Sequence, residues 1–323
     1  ERDNPTPEYG KLDATNPCGE QPLLPFEACN LGSLNLSNFV REDGNENDPN
    51  TYFKGRYVDF SALADAVKVA VELLNDVIDV NHYPLPEIEA AVKRTRKIGL
   101  GVMGWADTLF KLGVRYGSTQ SYNLARAIMS FIGNRAREAS AGRNASVLCV
   151  APTGTISLLA GCSSGIEPVF ALKHKRVAFA NDVDEHGNSK RQVFDVFNPE
   201  YEAALKANDS RIASGVFVTA QQIAPLDHVK MQAAFQLFVD AAISKTVNLP
   251  HDATVEDISE VYVEAWRRGC KGVTVYRDGC KLVQVLYAKD EDKEKCPECG
   301  STDIVHESGC KRCDACGWSP CSV

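Results

Sequence analysis

The 323-residue chain has no apolar run near the ~18 residues that would suggest a membrane-spanning helix. Its opening ERDNPTPEYG is not a secretory signal. A basic surplus is missing too: 35 Lys and Arg face 43 Asp and Glu, for a formal charge of −8 and a pI near 5.4. With the basic residues also scattered, this argues against a general binder of nucleic acid or anionic membranes. No internal repeat is present. These absences predict a soluble protein of the cytoplasm, with neither nucleic acid nor membrane as partner. In such a chain the 12 cysteines are not expected to form a disulfide framework, which leaves metal binding and redox work.

What is present is unevenly spread. Cys18, Cys29, Cys149, Cys162, Cys270 and Cys280 are dispersed, whereas Cys296, Cys299, Cys310, Cys313, Cys316 and Cys321 crowd the last stretch. The charge run KDEDKEK at 289–295 predicts a solvated linker between a main domain (1–288) and a small terminal module (296–323). Apolar residues three and four apart predict one helix through Leu63, Val67, Ala70, Leu74 and Val77, and a second through Tyr122, Ala125, Met129, Ile132 and Ala136, capped by Ser118. A third runs through Met231, Ala234, Phe238 and Ala241; Thr254 and Asp257 predict a capping box opening a fourth through Ile258, Val261, Tyr262 and Ala265. Apolar runs near 146–152, 214–218, 245–249 and 272–276 predict intervening strands. The alternation predicts an α/β fold with a largely parallel sheet and its chemistry in the loops after the strands.

Gly99–Gly104 matches the dinucleotide pattern G-x-G-x-x-G. The residues before it read as a basic helix, however, and no acidic residue follows between Lys111 and Arg135. These glycines are expected to permit close backbone contact instead. Pro152-Thr153-Gly154-Thr155-Ile156-Ser157 follows a strand-like run, and its backbone N–H groups and hydroxyls suit a phosphate, though a plain turn has the same composition. Glu167, in GIEP, suggests no role.

CPECG at 296–300 and CDACG at 313–317 have the Cys-x-x-Cys-Gly form of zinc knuckles, whose short turns bring two thiolates each to one tetrahedral ion. A module this small has too little core to fold alone, so the metal would supply its folding energy. Six cysteines exceed the four of a structural site. The extra two are candidates for thiol–disulfide exchange, Cys316 and Cys321 in particular, the plainer reading being incidental thiols on a structural ribbon. Near the other end, Asn16, Cys18 and Glu20 alternate, so in an extended segment amide, thiol and carboxylate share a face. Pro17, Pro22 and Pro25 keep this stretch out of a helix. Cys18 alone would read as a structural thiol. With Cys29 and a dithiol tail, the set points to a reaction that consumes two electrons per turnover.

NPCGEQPLLPFEACNLGSLNL, RKIGLGVMGWAD, APTGTISLLAG with SSGIEP, SKTVNLP and KGVTVYRDG closely resemble the carboxy-terminal half of the catalytic subunit of ribonucleotide reductases. The likeness is greatest to the class II, adenosylcobalamin-dependent enzymes and runs from about Asn16 to Cys321. It implies the second half of a ten-stranded α/β barrel with a central finger loop (about 15–36), plus a small carboxy-terminal zinc-ribbon module. The implied reaction is radical reduction of ribonucleoside di- or triphosphates to 2′-deoxyribonucleotides for DNA synthesis. Cys18 would become a thiyl radical and abstract the ribose 3′-hydrogen, with Glu20 as general base on the 3′-hydroxyl and Asn16 positioning the sugar hydroxyls. Cys29 would be one of two thiols delivering reducing equivalents. Pro152, Thr153, Gly154, Thr155, Ile156 and Ser157 would hold the substrate phosphates.

The family's Cys-x4-Cys tail pair implies Cys316 and Cys321 as the shuttle, with zinc on Cys296, Cys299, Cys310 and Cys313. Knuckle form gives the alternative of Cys316 in place of Cys310, leaving Cys310 and Cys321 for redox work. Implied partners are the amino-terminal half, as a separate chain or missing segment, deoxynucleotide effectors on that half, a thioredoxin-like reductant and further copies in a homo-oligomer. The second reducing cysteine, the specificity site and much of the cobalamin site belong to that amino-terminal half. The single Tyr276 departs from the tyrosine pair of class I and favours class II. No D-x-H-x-x-G motif occurs, as expected for class II, so the cofactor follows from resemblance. A class I large subunit and a non-catalytic zinc-ribbon module on a degenerate barrel are the alternatives. Lys311, Arg312 and Trp318 offer little basic aromatic face for nucleic acid.

Overall fold

The computed structural model describes residues 3–48, 50–183, 189–280, 296–301, 304–307, 310–313 and 315–319, with backbone alone for 174–183, 189–194, 305–307 and 310–312. Two compact units emerge, one of Glu1–Leu172 with Phe197–Cys280 and one of Lys173–Val196 with Lys281–Val323. The KDEDKEK linker lies outside the described residues.

The first unit is α/β and rests on five parallel segments taken in chain order. The Asn30–Asn35 strand pairs with the Ile98–Met103 strand, Asn30 opposite Ile98 and Asn35 opposite Met103. Parallel bridges join Leu100 to Leu148 and Val150 to Ile243. The Thr246–Leu249 strand pairs in parallel with Thr274–Arg277. Parallel neighbours need long crossovers, and helices supply them. Helices α1 (Phe60–Val80) and α2 (Pro86–Thr95) lead to the second segment, and α3 (Trp105–Leu112) and α4 (Thr119–Ser140) to the third. The short α5 (Gly154–Leu159), α6 (Pro199–Lys206) and α7 (Pro225–Gln236) precede the fourth, and α8 (Val255–Arg267) the last.

Local signals account for the helix starts. Asp59 opens α1 by accepting the Ala62 N–H at 2.9 Å, and Ser118 opens α4 by accepting the Ser121 N–H at 3.1 Å. At α8 the Thr254 hydroxyl accepts from the Asp257 N–H (3.2 Å) while the Asp257 carboxylate accepts from the Thr254 N–H (2.8 Å), closing the expected box. α1 buries Leu63, Val67, Val71, Leu74 and Ile78, and α4 buries Ala125, Met129, Ile132 and Ala136. The Ile98–Met103 strand is buried at every position, as a strand covered on both faces must be.

Several expectations shift. Residues 214–218 form no strand; Val216 and Phe217 are apolar because they pack against Phe110 and Ala204. The helix expected through Ala241 stops at Gln236, whose side-chain amide donates to the carbonyls of Val239 (3.1 Å) and Ala241 (2.9 Å) and turns the chain. The 146–152 run contributes bridges rather than a full strand, while 246–249 and 274–277 are strands as expected. Lys173–Val183 pairs with Ser189–Phe197, two strands that fall in the second unit except for Phe197 and that no sequence pattern announced. There too Ile304–Glu307 and Cys310–Cys313 pair antiparallel.

Candidate active site and metal centre

The segment expected to be extended is a hairpin. Ala14–Thr15 pairs antiparallel with Pro22–Leu23, and residues 16–21 form the loop between them. Asn16 closes that loop: its N–H donates to the Gln21 carbonyl (3.3 Å), its carbonyl accepts from the Gly19 N–H (3.0 Å), and its side-chain oxygen accepts from the Gln21 N–H (3.0 Å). Gly19 makes the turn at φ +78°, a left-handed conformation that glycine adopts freely. The alternation of Asn16, Cys18 and Glu20 therefore does not give one shared face. Cys18 is exposed at the tip, Glu20 is buried, and the Asn16 oxygen is committed to the turn.

Long-range contacts seat this loop. The Glu20 carbonyl accepts from the Ala242 N–H at 2.9 Å, and the Cys149 thiol reaches the same oxygen at 3.7 Å. Inside the fold, Gln21 lies over Gly99, where a Cβ would sit 2.8 Å from Gln21 Nε2 and 3.1 Å from Cys149 Cβ; at Gly101 a Cβ would collide with the Cys149 carbonyl. The glycines thus permit close approach, as expected, and they do so on a strand with no dinucleotide turn. On the return leg Glu27 and Lys97 form a buried pair at 2.7 Å, and the carboxylate also accepts from the Thr95 hydroxyl (2.9 Å) and the Leu24 N–H (2.8 Å). The added donors satisfy the carboxylate, as a buried pair requires if it is to offset its desolvation.

Two features of the loop bear on chemistry. Glu20 Oε2 is buried without a hydrogen-bond partner. A bare buried carboxylate oxygen is costly, and a ligand hydroxyl would satisfy it. Burial pushes the Cys29 thiol up to about 12, against the opposing pull of the Lys97 charge. Cys29 is therefore held as a protonated thiol, a form that can give up hydrogen.

After the third segment, Thr153 adopts left-handed φ +56°, ψ 26°, a strained conformation for a β-branched residue. It is held there because its hydroxyl accepts from the Gly165 N–H at 2.8 Å. The Ser157 and Ser164 hydroxyls meet at 2.8 Å. Of the loop's three hydroxyls two are thus turned to internal partners, leaving exposed Thr155 beside the open first turn that begins at exposed Gly154.

Sequence reasoning missed a buried group close by. Lys245 Nζ has no exposed surface and contacts Glu167 Oε2 (2.5 Å), the Thr246 carbonyl (2.6 Å) and His228 Nδ1 (2.9 Å). The other Glu167 oxygen accepts from the Thr246 N–H at 2.6 Å, and His228 Nε2 faces the Ala220 carbonyl at 3.0 Å. Burial first, then the Lys245 charge, pushes the His228 pKa down to about 2. The ring is neutral, with its proton on Nε2 and its Nδ1 lone pair toward lysine. The only available signal was a lysine beside an apolar strand and a glutamate between Ile166 and Pro168.

In the second unit two knuckles repeat one geometry. Cys296 N–H donates to the Ser301 carbonyl (2.7 Å) and Gly300 N–H to the Cys296 carbonyl (2.8 Å); Cys313 and Gly317 make the same pair of bonds with Trp318 and Cys313, both at 2.7 Å. The sulfurs of Cys296, Cys299, Cys313 and Cys316 all lie within 4.8 Å of one another. Cys296–Cys316 and Cys299–Cys313 approach to 3.6 Å. Four thiolates on zinc at ~2.3 Å stand roughly 3.8 Å apart, so the donor set fits that ion. Cys316, expected in the shuttle, is in this cluster, because both knuckle turns present both of their sulfurs inward. Only the backbone of Cys310 is described, and Cys321 lies outside the described residues.

Comparison with known proteins gives these sites a context. Residues 1–142 and 141–276 match the model of the ribonucleotide reductase barrel domain. A vitamin B12-dependent ribonucleoside-diphosphate reductase of Thermoplasma acidophilum is 40% identical over 91% of this chain and 42% of its own length. The Mycobacterium tuberculosis protein of the same name is 40% identical over 96% of this chain and 46% of its own. The chain thus spans less than half the length of these relatives. In fold it is similar to the Actinobacillus ureae class Id ribonucleotide reductase alpha subunit, with a TM-score of 0.64 and 19% identity over 84% of this chain and 54% of that one. A family match running through the Ala14–Leu23 hairpin, the loop at Thr153 and the parallel segments as far as residue 276 makes this chain a member of the ribonucleotide reductase barrel-domain family.

Proposed function

We propose that this chain carries the radical chemistry of a class II ribonucleotide reductase, converting ribonucleotides to 2′-deoxyribonucleotides for DNA synthesis. The observation that carries the reading is the finger hairpin, with an exposed Cys18 thiol two residues from the buried, unpartnered Glu20 oxygen. The five parallel segments are one half of the family's barrel; the other half, as a separate chain or a further segment, completes the enzyme and carries the deoxynucleotide effector site. Relatives named for ribonucleoside diphosphates favour that substrate over a triphosphate.

In this reading Cys18, as a thiyl radical, takes the ribose 3′-hydrogen and becomes a thiol. Glu20 Oε2 accepts the 3′-hydroxyl proton, which supplies the partner that oxygen lacks. The 2′-hydroxyl leaves as water, taking a thiol proton. The second thiol's hydrogen goes to C2′, Cys29 and that thiol close to a disulfide and give up two electrons in all, and Glu20 returns its proton to the 3′-oxygen, after which Cys18 returns hydrogen to C3′ and the thiyl radical is restored. Asn16 acts by holding the turn as much as by touching the sugar. Pro152–Ser157 receives the phosphates on its open N–H groups and Thr155. The names of the relatives support adenosylcobalamin as the source of the Cys18 radical; no described side chain is identified as its ligand.

Zinc on Cys296, Cys299, Cys313 and Cys316 folds the tail. That assignment leaves Cys310 and Cys321 to exchange with the active-site disulfide and with a thioredoxin-like donor. The assembled enzyme works in the cytoplasm as a homo-oligomer. The test is turnover of CDP with adenosylcobalamin and a dithiol, by this chain alone and with the remaining half. Activity on combination, abolished by Cys18→Ser, is expected; a combined enzyme that the substitution leaves active would overturn the reading.

A further inference from the structure

The Glu167–Lys245 pair takes no part in the chemistry above, yet it is among the best-supplied polar groups in the first unit. A lysine ammonium has three donors, and here each has an acceptor: the Glu167 carboxylate, the Thr246 carbonyl and the His228 lone pair. Glu167 in turn uses both oxygens, one on Lys245 and one on the Thr246 N–H. The pair therefore bolts residue 167 to the start of the fourth parallel segment.

What residue 167 belongs to gives the bolt a purpose. The stretch Ser163–Glu167 lies directly behind Pro152–Ser157. Its Gly165 N–H holds the Thr153 hydroxyl, and its Ser164 hydroxyl meets Ser157. The same stretch is fixed from its other side: the Gly104 N–H donates to the Ser163 carbonyl (2.8 Å), the Ser163 N–H to Asp107 (2.5 Å), and the Tyr116 hydroxyl to the Ile166 carbonyl (2.9 Å). Thr153 keeps its left-handed backbone only while its surroundings over-determine it. Since the Glu167 and Lys245 charges are opposite, the pair adds no net charge toward a bound anion, and its contribution is one of position.

We propose that Glu167 and Lys245 are positioning residues for an anionic phosphate ligand: they hold Ser163–Glu167 in place, and that stretch holds Thr153 and Ser157 in the conformation that opens the first turn of α5. The proposal rests on Pro152–Ser157 being the phosphate loop. Its test is calorimetric titration of the full chain with inorganic pyrophosphate, alongside urea unfolding. Glu167→Gln keeps the shape but leaves a buried ammonium without its counter-charge. A second variant, Glu167→Met with Lys245→Met, therefore removes both charges together.

Wild type is expected to bind pyrophosphate, and the double variant, folded under the titration conditions, to bind it at least about tenfold more weakly, as a displaced recognition loop requires. A folded double variant with wild-type affinity would overturn the positioning role. So would a double variant that does not fold, since the pair would then be structural only. No pyrophosphate binding by wild type would instead overturn the phosphate-loop reading, and the clamp with it. The two failures are therefore distinguishable.

Discussion

The tail knuckles and the finger hairpin both present cysteines on turns that pass through a glycine at positive φ, Gly300 and Gly317 in one case and Gly19 in the other. Their further supports differ. Each knuckle is closed by hydrogen bonds within six residues of chain, and the two copies are nearly identical. The hairpin loop at 16–21 is closed locally as well, but it also rests on residues far away in sequence: Ala242 on the Glu20 carbonyl, bare Gly99 beneath Gln21, and Lys97 on Glu27. A four-sulfur cluster can be written locally because an ion bound there would supply the missing core. The Ala14–Leu23 hairpin, with no such ion, draws its further support from the sheet.

The contrast can be broken most severely at the tail. Cys313→Ala, or a strong chelator, is expected to remove bound zinc and unfold the module, a structural zinc being worth about 10 kcal/mol or more at neutral pH. Zinc content and near-ultraviolet dichroism check this, and the unfolding midpoint of the first unit should not move. Next comes the finger. Lys97→Met leaves Glu27 buried and unpaired and should cost about 3–5 kcal/mol in urea denaturation, while Lys97→Met with Glu27→Leu recovers most of that loss. Recovery would sharpen the point that the finger is held by matched pairs across the sheet.

Gly101→Ala should cost about 1–3 kcal/mol, because the Cys149 carbonyl must yield to the new Cβ. The smallest effect is one of rate. With its pKa pushed up to about 12 by burial, Cys29 stays protonated through the neutral range. Its alkylation should climb about tenfold per pH unit from 8 to 10 without a plateau, since only the thiolate reacts. A plateau near pH 9 would mean that the half-buried Cys29 thiol meets more water than its surroundings here allow.

What could be read from the sequence divides along the same line. Cys-x-x-Cys-Gly made both knuckles visible, although the preferred ligand set put Cys310 in the place of Cys316, and the caps at Ser118 and Thr254 were legible from the residues around them. Residues whose meaning depends on distant partners were not. Alternation at Asn16, Cys18 and Glu20 suggested one shared face, but Gly19 turns the chain and buries Glu20 while exposing Cys18. Val216 and Phe217 looked like a strand because burial and strand pairing leave the same apolar mark. Glu167 and Lys245 had no visible roles apart, since each acquires one only in contact with the other.

The stretch Ala242–Thr246 serves as a common datum. The Ala242 N–H fixes the height of the Glu20 carbonyl, hence of the hairpin that carries Cys18, and three residues later Lys245 and Thr246 anchor Glu167 behind the Thr153 loop. Both loops are surveyed from one benchmark. A substitution that shifts this stretch is therefore expected to disturb both loops at once, not either alone.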